Sequence, residues 1–190
     1  MAFVCEFTIE GRTPISFSRA VMSPKKPGEK PDEYEKRVWR ERLHVNDEGN
    51  AFIPAGFIKH ALVNAAQYAN EKIGGGKGNQ TYTKKYMAGT GVIHDLNFEE
   101  TYPADEVEGE DLFVPSDGKA GGGTRVWKTF PVTREGWRAS GEIHVYDETI
   151  TPNHLRKTLD EAGRFIGIGR WRPIRGGDYG RFDVVEFKKK

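Results

Sequence analysis

Arginines and aromatic rings alternate inside a glycine-rich stretch at residues 167–182, GIGRWRPIRGGDYGRF. Those residue types suit a polymer that carries both negative charge and flat, stackable units. Arg170, Arg172, Arg175 and Arg181 supply planar forks that match phosphate oxygens, and Trp171 and Tyr179 supply faces for a base. Gly176, Gly177 and Gly180 have no Cβ, so they reach positive φ and let a ligand come close to the main chain. The plain alternative is a turn between a helix and a final strand, kept soluble by its arginines.

Cations sit beside aromatic rings at two further places. Lys84 and Lys85 lie between Tyr82 and Tyr86, in a glycine-rich segment over residues 73–91 that also holds Lys77. It is not a phosphate-binding P-loop, because Gly76-Lys77 runs into Gly78 and not into Ser or Thr. The interleaving suits a single strand, and a linker is the alternative. Arg125, Trp127 and Lys128 follow a second glycine cluster that contains Lys119. Lys59 and His60 fall near the start of the strongest helical pattern, where free N–H groups favour an anion. No paired acid or base stands beside His60, so an ordinary surface histidine is its plainer reading. The acidic run from Glu99 to Asp111 reads as solvated, and its spacing does not match a calcium loop. No catalytic residue, metal site or cofactor is therefore assigned.

A formal net charge of +1 gives no global basic signal, so any nucleic-acid surface must come from local clustering of Lys and Arg. The single cysteine, Cys5, excludes an internal disulfide and a multi-cysteine zinc site. A reducing cytoplasm is the simplest compartment. No charged-then-apolar leader and no bilayer-length apolar run is seen, so neither export nor membrane insertion is expected.

These side chains need a scaffold, and periodicity supplies one. Residues 2–18 alternate as a strand or hairpin, and residues 51–69 repeat apolar positions at helical spacing through Ile58, Ala61, Leu62, Ala65 and Ala66. Residues 92–98 and 137–149 read as strands, and Thr151-Pro152 opens a helix through Ile166. Residues 181–187 close as a strand. The order, strand, helix, strand, excursion, strand, helix, strand, is βαββαβ, an α+β ferredoxin-like unit. A length of 190 residues fits one domain, 1–190, with long inserted loops at about 22–43 and 112–132. The first carries mixed charge and reads as a solvated face, while the second reads as a projecting β-hairpin.

Two stretches resemble the RAMP superfamily of CRISPR-associated proteins. FIPAGFIKHAL at residues 52–62 is similar to that family's opening of the first helix, departing at His60, where glycine is common there. Residues 167–182 are similar to its C-terminal glycine-rich loop. The resemblance implies an RNA-recognition-motif-like fold and contact with an RNA backbone, with Lys59, Arg175, Gly176, Gly177, Gly180 and Arg181 as matching positions. Among family members, a single domain with a long excursion looks most like the backbone subunit that coats guide RNA. The leading expectation is a non-catalytic protein for single-stranded nucleic acid, RNA before DNA, forming a homo-oligomer or filament along the strand beside other effector subunits. A metal-independent endoribonuclease using His44 or His60 is the second reading. A RAMP-like decoy or regulator that binds proteins is the third.

Overall fold

The computed structural model describes residues 2–73, 80–116 and 124–190. Strand β1 (Phe3–Gly11) turns Cys5, Phe7 and Ile9 into the core and Glu6, Thr8 and Glu10 to the other face. It does not fold back as a hairpin. The backbone groups that a returning arm would need are already taken, as Gly11 N donates to the Trp137 carbonyl and Arg12 N to that of Arg181. Ile15 and Phe17 still point inward, and Ser16 between them bridges both Val132 and Arg170.

Helix α1 (Pro31–Val38) starts on a proline, has Asp32 and Glu33 in its first turn and Lys36 and Arg37 in its last, and runs into a 3-10 turn, Trp39–Arg42. After β2 (Phe52–Ile53), α2 (Ala55–Ala69) buries Ile58, Ala61, Leu62, Ala65 and Ala66, and Asn70 ends it in the left-handed conformation. Residues beyond the glycine segment, expected as an irregular strand-binding stretch, form α3 (Tyr82–Gly89), with Tyr86 fully buried. The strand expected over 92–98 shrinks to β4 (Leu96–Asn97), which pairs with β2, and the adjoining strand of the main sheet is β3 (Thr90–Gly91).

Strands β5 (Glu108–Pro115) and β6 (Arg125–Val132) form a separate two-stranded ribbon, from Glu108↔Val132 to Pro115↔Arg125, whose base meets Ser16 and Phe17 through the Ser16–Val132 bridge and the Phe17 N–Pro131 carbonyl bond. Strand β7 (Arg138–Val145) and helix α4 (Pro152–Glu161) follow, and the Thr151 hydroxyl accepts from His154 N at 3.2 Å. A π-helical turn, Ala162–Ile166, a 3-10 turn, Pro173–Arg175, and β8 (Phe182–Lys189) complete the chain.

The main sheet has the order β3-β7-β1-β8, and every pairing in it is antiparallel. Phe7 lies across from Gly141 and Phe187, Cys5 from Ile143, and Ile9 from Ala139. Ile58 and Leu62 of α2 and Leu155 and Leu159 of α4 join these residues in one core. The opposite face carries polar cross-strand pairs such as Thr8 with Ser140, 2.9 Å apart. This one-sided antiparallel sheet with packed helices is an α+β fold. Lys77 and Lys119 lie outside the described residues. No helix among the described residues is long and apolar enough to cross a membrane.

Candidate nucleic-acid interface

The loop over residues 167–182 is folded on itself. Ile168 N donates to the Gly180 carbonyl, Gly180 N to that of Pro14 and Arg170 N to that of Ser16, at 3.0, 2.7 and 2.7 Å. Its glycines admit the loop's own backbone: a Cβ on Gly177 would stand 1.9 Å from the Trp171 oxygen, and one on Gly180, φ +68°, 2.0 Å from the Ile168 oxygen. Gly176, φ +79°, faces open space. Trp171 holds φ +51°, a strained position for a bulky residue, and this presents its ring at the surface, 45% exposed. The rings of Trp171 and Tyr179 stack at 6.4 Å. Tyr179 donates its hydroxyl to Glu110 on β5, and burial together with that carboxylate pushes its pKa up to about 12.

Beside this loop lies an open cleft of about 790 Å³. Its walls come from the segment after β1, from α1 and its 3-10 turn, from the β5–β6 ribbon and from the loop. Arg19, Arg42, Arg125, Lys128, Arg170 and Arg175 line it, against one carboxylate among the described residues, Glu35. Tyr34, Phe113, Phe130 and Trp171 add aromatic surface. The Arg170 guanidinium lies 3.7 Å from the centre of the Phe130 ring, and burial and nearby Arg42 lower its pKa. Trp127 packs on Phe113 with ring centres 5.4 Å apart and is 59% exposed, so it extends the aromatic wall outward. Cations in an apolar-walled groove concentrate field, which draws in an anionic chain.

The sequence-derived candidates divide between this cleft and other places. Arg125, Arg170, Trp171 and Arg175 line it, with Trp127 adjoining. Arg172 donates to the Gly169 carbonyl at 2.9 Å, and Arg181 pairs with Asp178 at 2.8 Å and donates to the Arg164 carbonyl. Lys59 is a cap for the end of α3: its ammonium bonds the carbonyls of Tyr86, Met87 and Thr90 and the Thr90 hydroxyl, all within 3.0 Å. Burial lowers its pKa. Lys85 pairs with Asp147 at 2.7 Å, and Lys84 is exposed on α3; neither lines the cleft. His44 sits among Phe17, Phe52 and Phe57, and His60 is exposed on α2. Arg19, Arg42, Phe113 and Phe130 escaped the sequence reading. Arg42 in particular sits in a mixed-charge run where nothing local marks it as buried.

No protein-family model matches the chain, and no curated protein matches it in sequence. The fold does have solved counterparts. The crystal structure of Cmr6 from Pyrococcus furiosus aligns over 96% of this chain and 98% of its own, with TM-score 0.50 and 11% identity. A chain in the cryo-EM structure of the Type III-B Cmr-beta bound to cognate target RNA aligns over 98% of this chain, with TM-score 0.54 and 11% identity. This chain spans 60% of that one. The likeness to these Cmr structures is one of fold and extends over nearly the whole chain.

Proposed function

We propose that this protein binds single-stranded RNA without cutting it, coating the strand through backbone contacts and stacking, as a subunit similar to those of a CRISPR effector complex. The cleft carries the reading: cations from four separate segments converge there beside exposed aromatic rings, as a sequence-tolerant single-strand groove requires. The place of one structural neighbour in an assembly bound to cognate target RNA supports RNA over DNA. The strand order supports a ferredoxin-like βαββαβ unit built from β1, α2, β3, β7, α4 and β8, in a single domain with the excursion and the ribbon as insertions. A cytoplasmic location is consistent with such a partner.

The test is fluorescence polarisation with a labelled single-stranded RNA over a range of salt concentrations. Paired Arg125→Ala and Arg175→Ala changes remove two exposed cations from the cleft lining. Affinity should drop about tenfold or more, and the slope of log affinity against log salt should flatten by roughly 0.7 per lost phosphate contact. An unaltered affinity and slope would remove the cleft as the binding surface.

A further inference from the structure

Two guanidinium groups at the floor of the cleft are incompletely matched. Arg42, 7% exposed, and Arg170 both lie over the Phe130 ring, with Cζ 5.3 and 3.7 Å from its centre. Each keeps its Nη1 buried, and among the described residues neither atom has a hydrogen-bond partner. Arg42 uses Nη2 on Glu35 at 2.7 Å, while Arg170 has no ion pair among the described residues. Glu110 acts on Arg170 from β5, but its carboxylate takes the Tyr179 hydroxyl. Like charges in a low-dielectric site with free N–H groups are costly until an anion joins them. Each guanidinium fork offers parallel N–H groups that suit a pair of phosphate oxygens, and Phe130 lines the cleft against both groups.

We propose that Arg42 and Arg170 form a seat for one phosphate group, with Phe130 as its floor and Glu35 as an internal competitor. Resting on the RNA-binding reading, this assigns the occupant as a single backbone phosphate of the strand, the fixed point from which neighbouring bases reach Trp171. Both Nη1 atoms lie beneath the cleft surface, so seating the phosphate turns the guanidiniums outward. The bound anion then stabilises the fold as well as the complex.

Inorganic phosphate and a labelled single-stranded RNA test the two levels separately. In thermal unfolding, phosphate should raise the wild-type midpoint above that in chloride of equal ionic strength, and Arg170→Gln should abolish the difference. Glu35→Gln, which frees Arg42, should strengthen the phosphate effect; a merely structural ion pair would lower the midpoint and leave that effect unchanged. With RNA, Arg170→Gln should bind about tenfold more weakly, with a salt slope smaller by roughly 0.7. A phosphate response with no RNA binding would uphold the seat and reject the RNA reading. No phosphate response in the wild type, or an identical one in Arg170→Gln, would overturn the seat even if RNA binds elsewhere. Should Arg170→Gln fail to fold, Glu35→Gln decides: an unchanged phosphate effect overturns the proposal.

Discussion

A methyl group added at Gly177 would overlap the Trp171 carbonyl oxygen at 1.9 Å, whereas one added at Gly176 meets nothing within 4 Å and strains only its φ of +79°. Gly176→Ala should therefore cost about 1 kcal/mol in urea unfolding, and Gly177→Ala about 2–3 kcal/mol together with weaker RNA binding. Equal costs would show that the loop relaxes freely. The histidines set an acid limit. His154 stacks on Tyr82 at 3.8 Å and touches the Tyr86 hydroxyl at 2.8 Å, and burial lowers its pKa, as it does that of His44 among three phenylalanines. The fold disfavours their charged forms, so stability is whole above the unfolded value of 6.5 and declines as pH falls through it toward the lower folded values. Lowered carboxylates act further down, below their ordinary 3.8 to 4.5; Asp147 is held at about 2 by Lys85 and Thr149. The urea midpoint should be lower at pH 5.5 than at 7.5, and His154→Gln should reduce the difference. A flat profile would contradict this.

At the scale of elements, the β5–β6 ribbon is the part most exposed to failure, since two strands alone are marginal in water. Its base is held by Phe130, 6% exposed, by Tyr179 on Glu110, and by the packing of α1 and its 3-10 turn on β6. Its outer part carries Arg125, Phe113 and Trp127 and forms one wall of the cleft. The two ends should respond differently. Trp127→Ala should weaken RNA binding roughly tenfold through lost stacking and leave the thermal midpoint nearly unchanged. Phe130→Ala should lower stability by about 3 kcal/mol or more. Equal thermal losses at the two positions would mean that the outer ribbon is part of the core after all.

At the scale of the whole molecule, the proposed coating of a strand by a chain of this size would cover few nucleotides per copy, so affinity for a long strand would gain from touching neighbours. The excursion over residues 22–43 satisfies part of its own charge, through Arg37 with Glu29 and Arg42 with Glu35, both at 2.7 Å. That leaves the ribbon, with its exposed aromatic pair, better supplied for contact with an adjacent copy. Head-to-tail contacts of this kind build open filaments when the rotation does not close. Light scattering should show mass rising beyond one protomer per strand when long single-stranded RNA is added. A single protomer per strand at saturating concentrations would defeat the filament.

Strand and helix identity was legible wherever burial follows a local period, as in Cys5, Phe7 and Ile9 or in Ile58, Ala61, Leu62 and Ala65. Glycine, arginine and aromatic composition marked residues 167–182, of which the fold brings Arg170, Trp171 and Arg175 to the cleft and ties Arg172 and Arg181 to neighbouring carbonyls and Asp178. Helix α3 was hidden by the flanking glycines, and its buried Tyr86 is explained only by His154 and Thr158, far along the chain. The same limit applies to charge. Neither Lys59 nor Arg42 shows its role in the residues next to it in sequence. Which one caps a helix and which one floors a cleft depends on carbonyls, a ring and a carboxylate that only the tertiary fold brings within reach.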